Sequence, residues 1–134
     1  MFPKDIRILV VDDMSTERKK LSYLMKDLGY ENIVEATDGL EGLKVLEQEG
    51  SKIGLVMSDL NMPNLNGLEF LKKIRTLDAV KDVPFMIFST ESEREIIIEA
   101  MISGCSGYLI KPVQPEDLKA KLGKVFARSK TKAA

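Results

Sequence analysis

Five short apolar segments recur along this chain, and their alternation with helix-like stretches constrains its fold more than any other feature. The segments lie at 6–11, 32–36, 55–59, 83–89 and 107–110. Between them, apolar residues recur every three or four positions, which is the period of one helix face. Strands that alternate with helices in this way predict a parallel sheet covered by helices on both sides.

The intervening stretches also carry residues that begin and end helices. Ser15 is expected to cap the first helix, and Gly29 to end it. Asp38 leads into the second helix, and Pro115 suits the first position of the last one. The residues expected to face the core are Leu21, Leu24, Met25 and Leu28, then Leu40, Leu43 and Leu46, then Leu68, Leu71 and Ile74, then Ile97, Ala100 and Met101, and finally Leu118, Leu122, Val125 and Phe126.

The first segment comes early and is almost wholly apolar, as expected for a central strand that is buried on both faces. We therefore predict an α/β fold with a doubly wound, five-stranded parallel sheet. The sequence shows no internal repeat, low-complexity segment or second set of elements. We interpret it as one domain over residues 1–128, followed by a short polar tail, 129–134, that is expected to fray.

Composition excludes several classes of function. The 134 residues are 44% hydrophobic and 31% charged, which is ordinary for one globular domain. A net charge of −1 gives no reason to expect nucleic-acid binding, and no apolar run approaches the roughly 18 residues that insert across a membrane. The single cysteine, Cys105, fits a reducing compartment, so we expect a cytoplasmic protein. Without histidine, the chain cannot use that residue as a base, metal ligand or phosphoryl carrier.

Polar side chains follow four of the predicted strands at the point where each strand ends. Asp12 and Asp13 follow the first strand, Asp59 ends the third, Ser89 ends the fourth, and Lys111 follows the fifth. Each of them alone has an ordinary explanation, such as a helix entry or a strand-end cap. Because the carboxyl ends of parallel strands meet at the edge of the sheet where ligands bind, their convergence favours a functional site.

The chemistry of this predicted cluster points to a cation and a phosphoryl group. Carboxylates about 5 Å apart repel by roughly 3 kcal/mol per pair at an effective dielectric near 20, so the cluster needs a cation or protons. Oxygen ligands without cysteine or histidine favour Mg²⁺, which commonly also binds a phosphate. Lys111 would then supply a charge, and Ser89 a hydroxyl, to phosphate oxygens.

Four motifs carry a family resemblance. They are VVDD at 10–13, SDLNMPNLNG at 58–67, ST at 89–90 and GYLIKP at 107–112. With their spacing, they resemble the receiver domain of two-component response regulators over nearly the whole chain. Within that family, they are most similar to stand-alone chemotaxis regulators of the CheY type. The resemblance implies a (βα)5, flavodoxin-like fold with the strand order 2-1-3-4-5.

The resemblance also implies a role for each residue at the sheet edge. Asp59 is implied to be the phosphoryl acceptor. Lys111 is implied to pair with the phosphate and to precede Pro112 through a cis peptide bond. The implied ligands of the cofactor, Mg²⁺, are Asp12, Asp13, Asp59 and the backbone carbonyl of Asn61.

Further positions match those that switch the family between states. Ser89 and Tyr108 stand where the family has its switch hydroxyl and switch aromatic residue, and Asn61 and Glu91 where it tunes the loss of the phosphoryl group. Thr90 departs from the pattern because it is bulkier than the small residue expected beside the switch hydroxyl. This extra bulk is expected to crowd the site or restrict Tyr108.

The function implied by the resemblance is a signalling switch and not a classical enzyme. A partner histidine kinase would donate its phosphoryl group to Asp59, and the chain would catalyse its own phosphorylation and slow dephosphorylation. The surface around the fourth helix, fifth strand and fifth helix would then change its affinity for an output protein, the flagellar motor switch in chemotaxis. A phosphatase is a further implied partner, and a monomer is expected.

Three other interpretations of the sequence stay open. A receiver could act as a phosphate sink or relay intermediate without a motor target. A Mg²⁺-dependent phosphatase with an Asp nucleophile on the first strand would usually place an acid two residues later, where this chain has Met14 after Asp12. A flavin-binding electron carrier of the same fold would need a first loop rich in Gly, Ser and Thr, whereas residues 12–17 read DDMSTE.

Overall fold

A computed structural model describes residues 1–133, including the side chains of residues 1–130. It contains five strands, five α-helices and one short 3₁₀ turn. In chain order these are β1 (Arg7–Val11), α1 (Ser15–Asp27), β2 (Ile33–Ala36), α2 (Gly39–Glu49), the 3₁₀ turn (Gly50–Lys52), β3 (Ile53–Asp59), α3 (Gly67–Ile74), β4 (Phe85–Ser89), α4 (Arg94–Ile102), β5 (Gly107–Ile110) and α5 (Pro115–Ala133).

All five strands form one parallel sheet in the order β2-β1-β3-β4-β5, which confirms the predicted fold class and strand order. β1 lies between β2 and β3, as expected for the first apolar segment. Val11 pairs with Ser58, so the residues that follow β1 lie beside Asp59 at the end of β3. The sheet register therefore brings the ends of these two strands together.

Apolar side chains cover both faces of the sheet. In β1, Leu9 and Val11 join a core that also holds Phe70 of α3 and Ala100 of α4. Ile8 and Val10, on the opposite face of β1, join a second core with Met25 of α1 and Leu118, Leu122 and Val125 of α5. Alternate strand residues point to opposite faces, so a continuous apolar run serves both cores.

Helix ends are fixed by local hydrogen bonds. Gly29 ends α1 with a φ of 98°, and the amides of Gly29 and Tyr30 donate to the carbonyls of Lys26 and Met25, which together form a Schellman motif. The prediction for the start of α1 was wrong, because Ser15 lies inside the helix and Met14 takes the cap position without a side-chain bond. The amide of Met14 is instead bound by the Asp12 carboxylate at 2.9 Å.

Two predicted core positions are on the surface. Leu40 of α2 is 46% exposed and Met101 of α4 is 41% exposed. In α4, Ile96 packs against the core together with the buried Ala100. The prediction failed in α4 because this helix is apolar on nearly every side, so its sequence does not define one buried face.

Element boundaries differ slightly from the predicted ones. β1, β2 and β4 each begin one or two residues later than expected. Pro84 precedes β4 because it has no N–H, but its carbonyl still accepts a hydrogen bond from Val56 at 2.9 Å. Helix α5 runs to Ala133, so residues 129–133 of the expected tail are helical, and Ala134 lies outside the described residues. None of the described helices combines the length and apolar character that a membrane span requires.

Gly67 begins α3 at a point of close backbone contact, and this generates a prediction. Its amide donates to the Leu60 carbonyl at 2.7 Å, and a Cβ atom would collide with the Asp59 carbonyl and lie 2.9 Å from the Leu60 Cα. We expect Gly67→Ala to lower the free energy of unfolding by about 1–3 kcal/mol, measured by urea titration.

The matched control is Gly123, in the middle of α5, where an added Cβ would meet no atom within 4 Å. Gly123→Ala should raise the free energy of unfolding by roughly 0.5–1 kcal/mol, because alanine favours a helix. Equal stability of Gly67→Ala and the native chain would contradict the close packing described for β3 and α3.

Candidate functional site

The carboxyl ends of the central strands open into one cleft at the edge of the sheet. Its volume is about 770 Å³. The lining residues include Asp12, Asp13, Asp59, Asn61, Thr90 and Lys111. The structure therefore brings together four of the five residues predicted at the strand ends, whereas Ser89 is buried and is not among the residues that line the cleft.

Three carboxylates form the centre of this site. Asp12, Asp13 and Asp59 each offer an oxygen atom, and these atoms all lie within 4.8 Å of one another. Asp12 is buried, Asp59 is mostly buried, and Asp13 is exposed to the cleft. Hard oxygen donors clustered at this spacing fit a divalent cation such as Mg²⁺.

Asp59 lies where its negative charge is disfavoured. Burial raises the pKa of this carboxyl group, and the nearby charges of Asp12 and Asp13 raise it further. Lys111 and a hydrogen bond of 2.8 Å from the Leu60 amide to Asp59 Oδ1 act in the opposite direction without cancelling the rise. The ionised carboxylate is therefore poised to gain a cation or to lose its charge in a covalent bond.

Lys111 supplies positive charge at the floor of the cleft. Its Nζ lies 3.1 Å from Asp12 Oδ2, 3.7 Å from Asp59 Oδ1 and 3.9 Å from Glu17 Oε2. The backbone holds this side chain in place, because the Lys111 amide donates to the Ser89 carbonyl at 2.8 Å. The peptide bond that follows, to Pro112, is cis, which confirms the implied isomer.

Glu17 is a member of this site that the sequence analysis did not select. It is the acidic residue in the first turn of α1, and it lines the cleft beside Lys111. It follows Asp13 by four residues in the sequence, and this short spacing was the available signal. A fourth carboxylate therefore shares the lysine with the acidic cluster.

Ser89 and Tyr108 are connected through the backbone of Glu91. The buried Ser89 hydroxyl accepts a hydrogen bond from the Glu91 amide at 3.0 Å, and the Tyr108 hydroxyl donates to the Glu91 carbonyl at 2.7 Å. Burial raises the pKa of Tyr108, and a hydrogen bond with Ser89 opposes that rise. The Tyr108 ring is half-buried and packs against the core that contains α3 and α4.

The remaining two predicted residues lie around the start of α4 and the cleft. The Glu91 carboxylate accepts a hydrogen bond from the Glu93 amide at 2.9 Å, just before the helix begins. Thr90 is exposed and lines the cleft. That its bulk crowds the site or restricts Tyr108 stays a prediction.

Known proteins match this chain over almost its full length. Residues 8–123 match the response regulator receiver domain family. Chemotaxis protein CheY-3 of Vibrio cholerae serotype O1 is 42% identical over 125 residues, covering 93% of this chain and 95% of that protein. Chemotaxis protein CheY of Pseudomonas aeruginosa is 37% identical over 123 residues, covering 92% and 98%.

A solved structure agrees with these sequence matches. The chemotaxis protein CheY4 of Vibrio cholerae has a TM-score of 0.81 at 34% identity, covering 90% of this chain and 98% of that one. The acidic cleft, the strand order and the sequence matches therefore all indicate the same protein family. This chain belongs to the response regulator receiver domain family.

Proposed function

We propose that this chain is a phosphorylation-activated switch in chemotaxis, in which Asp59 accepts a phosphoryl group from a phosphohistidine on a partner kinase. The observation that carries the proposal is the position of Asp59 at the floor of the cleft, within 4.8 Å of two other carboxylates and 3.7 Å from Lys111. Receiver domains of this kind are switch proteins and not classical enzymes.

The acidic cluster suits the cation that receiver domains bind. Mg²⁺ would be held by Asp12, Asp13, Asp59 and the backbone carbonyl of Asn61, which lines the same cleft. When bound, it supplies positive charge that offsets the repulsion between the carboxylates and the incoming phosphoryl oxygens. The phosphoryl transfer requires such a cation, because the negative charge of the three carboxylates would otherwise repel the phosphoryl group.

The protein's own residues then position the transfer. Lys111 and the Leu60 amide both contact Asp59 Oδ1, so we assign Oδ2 as the attacking oxygen. It forms a P–O bond while the P–N bond of the phosphohistidine breaks, and the electron pair of that bond stays on the imidazole nitrogen. A carboxylate oxygen carries no proton that a general base must remove, so the chain's contribution is positioning and charge.

Phosphorylation would reach the surface through Ser89. The new phosphoryl oxygens would attract the Ser89 hydroxyl, whose oxygen now holds the Glu91 amide. Movement of Glu91 would break or lengthen the hydrogen bond that the Tyr108 hydroxyl donates to the Glu91 carbonyl. The switch would therefore be a population shift caused by a local change in charge.

The expected output surface carries apolar side chains that suit a protein partner. Ile98 and Met101 of α4 and Ile110 of β5 are exposed, and Ile102 at the end of α4 is 81% exposed. Exposed apolar side chains on α4 and on β5, the strand that carries Tyr108, favour binding of another protein. We propose the flagellar motor switch protein as that partner.

The acceptor assignment gives the main test of this function. Incubation with acetyl phosphate and Mg²⁺ should label the native protein, and mass spectrometry should find the label at Asp59. Asp59→Asn should abolish labelling, and excess EDTA should do the same to the native protein, because uncompensated carboxylates repel the donor.

The matched control is Asp78→Asn, which removes an exposed carboxylate that lies outside the acidic cluster. This variant should be labelled like the native protein. Native-level labelling of Asp59→Asn, or labelling that persists in EDTA, would show that another site accepts the phosphoryl group.

The second test separates the chemistry from the output. Ser89→Ala should retain labelling at Asp59 but reduce the phosphorylation-dependent gain in motor-switch affinity by about tenfold, because it loses a charge-assisted hydrogen bond. Tyr108→Phe should retain labelling and change that gain about two- to tenfold, because it loses the bond to the Glu91 carbonyl.

Affinities are measured by calorimetry with and without an acyl-phosphate mimic such as beryllofluoride. Asp78→Asn serves as the control here too, because this exposed side chain is not among the residues that line the cleft and should not affect the affinity change. If both switch variants keep the full affinity change, the coupling through Ser89 and Tyr108 is wrong. If the native protein itself shows no affinity change, the motor-switch assignment is wrong, and a phosphate sink or relay becomes the better interpretation.

A further inference from the structure

Arg18 reaches from α1 to the backbone of the acidic cluster. Its Nη1 donates to the carbonyl oxygen of Asp12 at 2.8 Å, and its Nε donates to Glu35 Oε1 at 2.8 Å. The Arg18 side chain is only 14% exposed. One guanidinium therefore joins β2 to the peptide group that precedes Asp13.

Glu35 holds this guanidinium from the other side. Its second oxygen, Oε2, lies 3.3 Å from Lys19 Nζ and 3.4 Å from the hydroxyl of the buried Ser22. Burial alone would raise the pKa of Glu35, but the bonds from Arg18 and Lys19 outweigh it and the pKa falls below its usual value. The carboxylate that orients Arg18 is therefore ionised at neutral pH.

A hydrogen bond to the Asp12 carbonyl can restrict the orientation of both the Asp12 and the Asp13 carboxylate. It belongs to the planar peptide group between Asp12 and Asp13, so fixing its direction restricts the backbone on both sides. The Asp12 amide is already bonded to the Ala36 carbonyl of β2 at 3.2 Å. Because Arg18 binds the carbonyl, the two peptide groups that flank Asp12 are held from different elements, the first from β2 and the second from α1.

We propose that Arg18, braced by Glu35, is a positioning residue that orients the Asp12–Asp13 pair for a divalent cation. This inference rests on the proposed function, because it takes these carboxylates as the cation site. Arg18 would not touch the cation or the phosphoryl group. It would act by holding the peptide between two ligands in one orientation, as hydrogen-bonded residues behind metal ligands commonly do.

A purely electrostatic effect of Arg18 on the cation predicts the opposite result, so the sign of the change in affinity separates it from positioning. Removing the positive charge of Arg18 would strengthen cation binding if Coulomb attraction alone mattered, because the cluster would become more negative. Loss of orientation would weaken cation binding. A weaker affinity in a variant without the guanidinium is therefore the signature of positioning.

The chain contains a matched control at the opposite end of β1. Arg7 forms a comparable pair with Glu49, with Nε to Oε1 at 2.7 Å and Nη2 to Oε2 at 3.1 Å. This pair joins the start of β1 to the end of α2, away from the carboxyl ends of the strands. Arg7→Met therefore removes an arginine–glutamate pair of similar geometry without disturbing the peptide between Asp12 and Asp13.

The experiment measures the Mg²⁺ dissociation constant by calorimetry with Mg²⁺ alone, for the native chain and for Arg18→Met, Arg18→Lys and Arg7→Met. Arg18→Met should raise the constant by about tenfold. Arg18→Lys keeps the charge but lacks the planar fork that binds two partners at once, so it should also weaken binding. Arg7→Met should leave the constant within about twofold of the native value.

Amide hydrogen exchange without metal gives a readout that does not depend on the cation. The amide of Asp12 is bonded to the Ala36 carbonyl, and Arg18 holds the carbonyl of the same residue, so this amide should exchange faster in both Arg18 variants and at the native rate in Arg7→Met. If Arg18→Met fails to fold, the Arg18→Lys variant carries the test.

Two failures have distinct meanings. Native-like or tighter Mg²⁺ binding by the Arg18 variants would overturn this inference and leave the cation site intact. Failure of the native protein to bind Mg²⁺ would overturn both this inference and the cation assignment in the proposed function.

Discussion

The mutual repulsion of Asp12, Asp13 and Asp59 is the constraint on which the rest of the site depends. Their oxygens lie within 4.8 Å of one another, and carboxylates at this distance repel by roughly 3 kcal/mol per pair at an effective dielectric near 20. The folded chain sustains this conflict because β1 and β3 are adjacent and firmly paired. A bound cation would offset the repulsion between the carboxylates, and a phosphoryl group on Asp59 would change their charge. The proposed switch therefore lies in the cleft where the carboxylates repel one another.

The surrounding structure fixes the cluster without filling it. Apolar side chains bury both faces of β1 and β3, and in the described part of the chain every buried polar side-chain atom has a hydrogen-bond partner. Asp12 is held through its carboxylate by Met14 and Lys111, and through its carbonyl by Arg18. The loop after β4 is held by the bonds that join Ser89, Glu91 and Tyr108. The site therefore combines a braced acidic centre with a loop whose hydrogen bonds lead to Tyr108.

The sequence predicted the centre of the site well and its surroundings poorly, for a physical reason. Asp59 and Lys111 were found because apolar runs mark strand ends, and the ends of parallel strands must meet. Glu17 and Arg18 were missed because long side chains on α1 reach the site only through tertiary packing. The supposed cap at Ser15 was wrong because the Asp12 carboxylate binds the amide that precedes it. Local sequence patterns thus predicted where the strands end, whereas packing between elements determines which side chains of α1 reach the site.

The most direct test of the charge conflict is the free energy of unfolding of the native chain and of Asp59→Asn, measured against pH without divalent cations. The pKa of Asp59 is raised in the fold above its ordinary value of 3.8, so its contribution is most favourable below that pH and is lost as the pH rises through the folded pKa. Asparagine does not titrate. The variant should therefore be more stable at neutral pH, with a melting temperature higher by about 3 °C or more, and the difference should shrink toward pH 3. A variant that is no more stable than the native chain at neutral pH, or a difference that does not change with pH, would contradict the account.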